Sequence, residues 1–379
     1  MTNHGGSALA GRPRLLAGPL RSGVTLALVG ILYVATVGLA GGNPYYMLIL
    51  SLSCINVMCA VSLNLINGCT GLFSIGHAGF LAVGAYVAAC LTKYFAVPLI
   101  LALPLGGLFA ALVGVLVGLP TLRLRGDYLA IATLGFGEII RVIIINISTL
   151  KVGGVVMDIG GPRGLMAVPH AASFAWAFLG AAVTIKFAVN FINSSHGRAC
   201  LAIREDEVAA EAMGVNTTFY KVAVFAIGAF FAGCAGGLYA HLYCFVHPDS
   251  ASFLRAVDYV VMIVIGGLGS TTGAALAAVS LTVLSEALRK VVALRMVTYS
   301  LLLVVVMLAR PQGLLGAREL TLDGMYGAAR TAWRYLVRAA RWAGAGRASA
   351  GRGASSAREA NGARGASAEG GDGGGDAGD

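Results

Sequence analysis

The chain has 379 residues, 58% of them hydrophobic and only 12% charged, with a formal net charge of +10. A soluble domain carries about 25% charged residues, so this composition excludes an ordinary soluble globule. The basic residues flank apolar runs, as Arg12, Arg14 and Arg21 do, without the aromatic interleaving of a nucleic-acid groove; they match the positive-inside rule and an anionic lipid surface.

Residues 1–22 form a basic N-terminal segment, expected in the cytoplasm. The apolar run that follows, ending at Ala40, is longer than the roughly 7–15 residues of a signal-peptide core and precedes no small-x-small cleavage site. An uncleaved first span, Gly23 to Ala40, is expected. Gly41-Gly42-Asn43-Pro44 is a turn, and Tyr45 to Ile66 the second span. A glycine-rich break, Asn67 to Gly79, precedes Phe80 to Phe95 and Val97 to Leu119. The charged loop Arg123 to Asp127 leads to Tyr128–Thr149, the glycine-rich loop Lys151–Pro169, and Ala171–Ile192. Asn193 to Lys221 is the longest polar stretch of the membrane domain. Val222 to Val246 spans again, and His247 to Arg255 is a loop. Val257 to Leu288 is too long for one straight span and is interrupted at Gly266-Gly267-Leu268-Gly269-Ser270. A short span, Met296 to Leu308, stops at Arg310-Pro311.

The pattern predicts an all-α polytopic bundle over residues 23–316, with roughly eight to ten spans at about 20 residues each. Counted from a cytoplasmic N-terminus, the Arg123/Arg125 loop and Asn193–Lys221 fall inside, the Lys151 and His247 loops outside. Two helices within Val257–Leu288 put the C-terminus inside; one broken helix puts it outside. The arginine-rich tail favours the first. Residues 317–343 carry Arg330, Arg334, Arg338 and Arg341 at helical spacing with Trp333 and Trp342, either a basic amphipathic helix on lipid or a solvated extension. Residues 344–379 are low-complexity Gly, Ala, Ser, Arg and Asp, expected to be disordered.

Three constellations stand out. In Asn67–Phe80, glycines at 68, 71, 76 and 79 surround Ser74 and His77. Irregular backbone at membrane depth survives only where protein or a water path surrounds it, so Gly71, Ser74, Gly76, His77 and Gly79 are candidates for a translocation path. Small-residue helix packing is the plainer alternative, as is a hydrogen-bonded structural role for the lone His77. Glu138 and Arg141, three apart on an apolar helix, share a face. An unpaired charge at mid-span costs about 2.5–3.5 kcal/mol, so a path, a subunit interface or a mutual ion pair is expected there. In Gly197–Asn216, the acidic Glu205, Asp206 and Glu207 suit a helix N-terminus and Gly214 its C-cap. A single short capped helix is expected, with Arg204, Glu205, Asp206, Glu207, Glu211 and Gly214 as candidate contacts to a cytoplasmic partner, or an ordinary solvated loop.

None of the seven cysteines forms a Cys-x-x-Cys pair, so no metal or redox centre is expected, and no cofactor. The chain contains no Gly-x-x-x-x-Gly-Lys-Ser/Thr loop, no HExxH and no nucleophile elbow, and it is not expected to be an enzyme.

The segments Asn64-Leu-Ile-Asn-Gly-Cys-Thr-Gly-Leu-Phe-Ser-Ile-Gly-His-Ala-Gly-Phe80, Leu124-Arg-Gly-Asp-Tyr-Leu-Ala-Ile-Ala-Thr-Leu-Gly-Phe-Gly-Glu-Ile-Ile-Arg141 and Ile203-Arg-Glu-Asp-Glu-Val-Ala-Ala-Glu-Ala-Met-Gly-Val-Asn216 resemble the branched-chain amino acid ABC transporter permeases. Arg125-Gly126-Asp127-Tyr128 resembles the LivM-type subunit rather than its LivH-type partner. The resemblance covers about residue 45 to Gly316. It implies a multi-pass protein of a bacterial inner membrane, working with a LivH-like permease, two cytoplasmic ATPase subunits and a periplasmic binding protein. It also implies that Arg204 to Gly214 touch an ATPase, and that the glycine-rich segments near Gly71 and at Gly266, Gly267 and Gly269 help form the translocation path. Similar permeases serve urea, amides or aromatic acids, so these substrates stay open beside leucine, isoleucine and valine. An ion-coupled secondary transporter, whose helices are also broken, and a non-transport membrane scaffold are the rivals.

Overall fold

The computed structural model describes residues 30, 32–38, 41–122, 124, 126–152 and 155–289. The expected span 296–308, the amphipathic stretch 317–343 and the tail 344–379 lie outside the described residues, as do residues 1–29, so that the expected span Gly23–Ala40 is described only at 30 and 32–38. The helices, labelled from Pro44, are α1 Pro44–Asn64, α2 His77–Phe95, α3 Leu99–Thr121, α4 Asp127–Asn146, α5 Phe174–Ile192, α6 Ser195–Glu205, α7 Glu207–Ala212, α8 Thr217–Tyr243, α9 Phe253–Gly266 and α10 Thr271–Ala287. Six, α1 to α5 and α8, are long and apolar enough to cross a membrane. The fold is an all-α polytopic bundle.

Local chemistry sets most of the ends. Asn43 caps α1, its side chain accepting from Tyr45 N–H at 3.1 Å, with Pro44 in the first turn where a missing N–H costs nothing. The end of α1 widens into a π turn, Leu65–Cys69. Asn216 caps α8, which begins at Thr217 rather than at Val222. Lys221, assigned by its charge to the polar stretch, lies in the helix because Glu207 pairs with its buried ammonium at 2.6 Å.

The helices form an up-and-down bundle with two ends. The α6–α7 end collects the C-termini of α1 and α5; the opposite end carries an antiparallel pair of strands, β1 Thr149–Val152 and β2 Val155–Asp158. They lie where the span Tyr128–Thr149 was expected to end and the loop Lys151–Pro169 to begin. Their signal was present: two β-branched runs around Gly153-Gly154. The α9–α10 pair resolves the question left at Val257–Leu288. Gly269 N–H donates to Asn64 Oδ1 at 2.9 Å, placing the break at the α6–α7 end. Tyr45 O–H donates to Glu286 at 2.8 Å, placing the finish of α10 back beside the start of α1. Two short helices thus run to the α6–α7 end and back, the two-helix form of that stretch. At 14 and 17 residues they are about 21 and 25 Å long, shorter than a ~30 Å hydrocarbon core.

Small residues hold the centre. Apolar side chains gain little from leaving lipid for one another, so helices in a bilayer associate through close backbone approach and polar bonds. The α2, α3 and α8 helices cross where Gly84, Gly106, Gly107, Ala110 and Gly233 meet; a Cβ on Gly233 would lie 3.0 Å from the Gly106 carbonyl and from Gly107 Cα. Buried polar pairs pin the crossings. Asn56 donates to Thr282 at 2.8 Å, joining α1 to α10. His241 Nδ1 donates to the Gly237 carbonyl at 2.7 Å, leaving Nε2, 2.8 Å from Thr92 Oγ1, to accept and so join α8 to α2. The outward face of α3, with Ile100, Leu108, Leu112 and Leu116 exposed, is a surface for lipid tails. All seven cysteines are free and none is exposed, matching their reading as small apolar side chains.

Gly233→Leu is expected to cost about 1–3 kcal/mol by overpacking this crossing, read as a lowered unfolding midpoint in detergent. Gly135→Ala, on an open face of α4 with no atom within 4 Å of the added carbon, should match or slightly exceed the parent.

Candidate functional site

The glycine-rich segment after α1 is irregular backbone packed inside the protein. Residues 70–76 carry no regular structure, and α2 starts at His77, three residues earlier than expected. Asn67 closes the loop by acting as a surrogate strand: its Oδ1 accepts from Ser74 N–H at 3.2 Å and its Nδ2 donates to the Ser74 carbonyl at 3.3 Å. Thr133 of α4 accepts from Ile75 N–H at 3.1 Å. Such substitutes are obligatory where no water can serve the backbone. Gly71 takes a left-handed φ of +70°, open to glycine without strain. Gly79 packs against Gly137 of α4, where an added Cβ would come within 3.1 Å of the Gly137 Cα. His77 is fully buried. The Ser62 hydroxyl donates to the Cys59 carbonyl at 3.0 Å, so it accepts from His77 Nε2 at 2.8 Å. His77 therefore ties α2 to α1.

The second broken segment lies alongside. Gly266 and Gly273 face each other across the α9–α10 turn, where a Cβ on Gly266 would come within 2.6 Å of Ala274 N. Gly267 and Gly269 take φ of +105° and +90°. Leu268, between them, is exposed.

The polar stretch folds as two helices rather than one. Ser194 caps α6 and Asp206 breaks the chain to cap α7, accepting from Val208 and Ala209 N–H at 2.9 and 3.0 Å. Gly214, at φ +84°, ends α7 in a Schellman motif: Val215 N–H bonds the Ala210 carbonyl and Gly214 N–H the Glu211 carbonyl. On the bundle side Gly197, Cys200 and Ile203 are buried; on the other face Glu205, Val208, Glu211 and Met213 are exposed, Met213 at 84%. Arg204 points toward the bundle. It donates to the Gly68 carbonyl at 2.7 Å, and its stem lies over Gly71.

At the strand-bearing end, Glu138 and Arg141 of α4 form the expected i,i+3 pair at 3.4 Å, but each also reaches across. Arg141 bonds Asp249 at 2.6 Å, and Glu138 accepts from Phe253 N–H, the first residue of α9, at 3.1 Å. A carboxylate at a helix N-terminus satisfies an orphan donor and favours the dipole. The Arg141 guanidinium holds the Asp249 carboxyl below the usual carboxylate range by this hydrogen bond, aided by His247 and opposed by partial burial.

Residues 45–310 match the family described as branched-chain amino acid transport system / permease component. The chain belongs to this family. The permease is 36% identical over 301 residues to the high-affinity branched-chain amino acid transport system permease protein LivM of Salmonella typhimurium, covering 70% of this chain and 69% of the relative. It is 35% identical over 316 residues to LivM of Escherichia coli K12, covering 74% and 72%. A shorter match, 35% over 129 residues covering 33% of this chain and 41% of the relative, is to LivH of Salmonella typhimurium. No solved structure matches the chain.

Within the permease, the residues singled out from sequence fall into three groups. Gly71, Ser74, Gly76, His77 and Gly79 surround the loop after α1, and the Gly266–Gly269 turn meets that loop at Gly68 and Asn64; Arg204 touches both. Glu138 and Arg141 stand apart at the other end. Of the loop residues, Asp206 is a cap, Glu207 is an internal partner of Lys221 and Gly214 is a terminator, leaving Glu205 and Glu211 as exposed charges. Sequence reasoning did not single out Asn64 and Gly68 as site residues although it quoted them, and Asp249 carried no signal beyond being a loop acid.

Because the folded-state carboxyl of Asp249 is depressed, its pairing with Arg141 contributes above the unfolded pKa of about 3.9 and is lost as pH falls through the lower folded value. With 57% of the Asp249 side chain exposed, the contribution is small and weakened by salt. The stability advantage of the parent over Asp249→Asn should shrink below about pH 4, measured by thermal unfolding; an advantage that grows on acidification contradicts the pairing.

Proposed function

We propose that this chain is the LivM-type permease subunit of an ATP-binding cassette importer for branched-chain amino acids. In this reading it sits in a bacterial inner membrane with its N-terminus in the cytoplasm, beside a LivH-like permease. Two separate cytoplasmic subunits hydrolyse ATP, and a periplasmic protein delivers substrate. The family match across residues 45–310 carries the reading.

The α6–α7 end then faces the cytoplasm and the strand-bearing end the periplasm. Docking of an ATPase uses the exposed face of α6–α7. Val208 and Met213 supply exposed apolar area there, which is costly in water unless covered by a partner, and Glu205 and Glu211 supply the charged rim. The Schellman stop and the Asp206 cap fix the shape of this knob, so a push on it moves α6 as a body.

Substrate crosses along the face shared with the second permease. The α4 helix supports this placement: Tyr128, Ile131, Gly135 and Ile139 line an open face, and Glu138 and Arg141 lie beside it. Charges on a membrane-spanning helix are held by a protein interface or a wet path rather than lipid. Among the glycine-rich path candidates, Gly71 is exposed and Gly269 half-buried, whereas Ser74, Gly76, His77, Gly79, Gly266 and Gly267 are buried and shape the backbone behind them. ATP-driven closure reorients the broken segments between inward and outward access.

Reconstitution of the four-part membrane complex tests this. Leucine uptake into proteoliposomes should require ATP and the binding protein, and Val208→Asp or Met213→Asp should lower co-purification of the ATPases by roughly tenfold, the ~1.4 kcal/mol lost with one buried apolar side chain. Uptake by this chain alone under a proton or sodium gradient supports the secondary-transporter rival.

A further inference from the structure

We infer that Arg204 works inward, as the positioning residue that fastens both broken membrane segments to the cytoplasmic knob, and is not itself a contact for the ATPase. The inference rests on the docking reading of α6–α7 and assigns the step after docking: how motion of the knob enters the bundle.

Arg204 sits on the last turn of α6, next to the buried Ile203. Its Nη1 donates to the Gly68 carbonyl at 2.7 Å. That carbonyl belongs to the π turn at the end of α1, where the helix gives way to the irregular loop and carbonyls lose their helical partners. Asn64, one turn earlier, holds Gly269 N–H at 2.9 Å. Gly68 and Gly269 therefore lie back to back between Asn64 and Arg204.

Three glycines keep this junction closed. A Cβ on Gly68 would come within 2.5 Å of Gly269 N, one on Gly269 within 3.0 Å of Arg204 Nη1, and one on Gly71 within 3.0 Å of Arg204 Cγ. Gly71 and Gly269 also have left-handed φ values, +70° and +90°. Close approach and backbone conformation thus demand glycine at the same places, around one guanidinium.

The turn that follows the inner end of α9 is held by Asn64 on Gly269 N–H, and Arg204, bonded to the Gly68 carbonyl, packs its guanidinium against Gly269. The outer end of that 14-residue helix is held by α4, through Glu138 on Phe253 N–H and Arg141 on Asp249. A helix gripped at both ends by groups from other elements transmits displacement along its axis. Movement of α6 reaches Gly68 and Gly269 through Arg204, and reaches the Glu138–Arg141–Asp249 cluster through α9. The pairing of Arg204 with Glu205, at 3.8 Å and with 78% of the Glu205 side chain exposed, adds little to this grip.

The test uses the purified complex in proteoliposomes with the binding protein and leucine. Arg204→Met keeps the stem over Gly71 and removes the donor; Arg204→Lys restores one donor on a flexible stem. The readout is leucine taken up per ATP hydrolysed, with ATPase subunits retained on the purified complex quantified in parallel. For Arg204→Met, ATPase retention should equal the parent and uptake per ATP should fall roughly tenfold or more, the range set by losing a charge-assisted hydrogen bond. Arg204→Lys should recover to within about threefold of the parent, a partial rescue that a merely structural role would not tie to this ratio. Uptake per ATP equal to the parent in Arg204→Met overturns the proposal, and so does loss of the ATPases from that complex, which makes Arg204 a docking residue. Met213→Asp run beside it separates the two readings: full ATPase retention in that variant contradicts docking through α6–α7 while the Arg204 ratio stays readable.

Discussion

A bilayer offers no water to an unpaired backbone group, and this permease breaks its helices anyway. The loop 70–76, the α9–α10 turn and the start of α9 are each met by side chains. Asn67 answers Ser74, Thr133 answers Ile75, Asn64 answers Gly269, Arg204 answers Gly68 and Glu138 answers Phe253. An unsatisfied group in hydrocarbon costs several kcal/mol, more than most single contacts in a protein contribute. The breaks and their partners therefore form one system, and glycine is its second requirement, since the partners reach the backbone only where no Cβ intervenes.

This system divides the molecule by function. The α2–α3–α8 crossing, with Gly84, Gly106 and Gly233 at its centre, is close-packed. It is the static part. The movable part is the set of segments whose hydrogen bonds run through side chains: the loop 70–76, the α9–α10 turn and the first turn of α9. Side-chain bonds exchange partners without unwinding a helix, so the proposed alternating access draws on these segments rather than on the crossing.

Much of this was legible in the sequence. Apolar runs gave the long helices to within a few residues, because a ~30 Å slab imposes length on composition. Glycine clusters marked both breaks, because irregular backbone in a bundle needs them. The acidic run before Val208 and the glycine at 214 marked the ends of α7. The rest depended on pairings between distant positions. Lys221 reads as a loop residue until Glu207 is seen to neutralise it. Arg204 reads as one more charge on a cytoplasmic helix until its partner, 136 residues away at Gly68, is known. Asp249 has no local pattern; Arg141 gives it meaning. The single capped helix became two because Asp206, a preferred cap, caps in mid-run. The strands β1 and β2 were missed because two glycines between short runs, in a chain this rich in glycine, read as loop.

Sidedness is the claim on which the transport account turns, and impermeant thiol labelling of single cysteines in a cysteine-depleted background measures it. Glu211→Cys on α7 and Leu268→Cys at the α9–α10 turn should react in inside-out vesicles and stay silent in intact cells, while Met166→Cys near the strand-bearing end does the reverse. Labelling of Glu211→Cys from the periplasm would place the knob away from any ATPase and contradict the account.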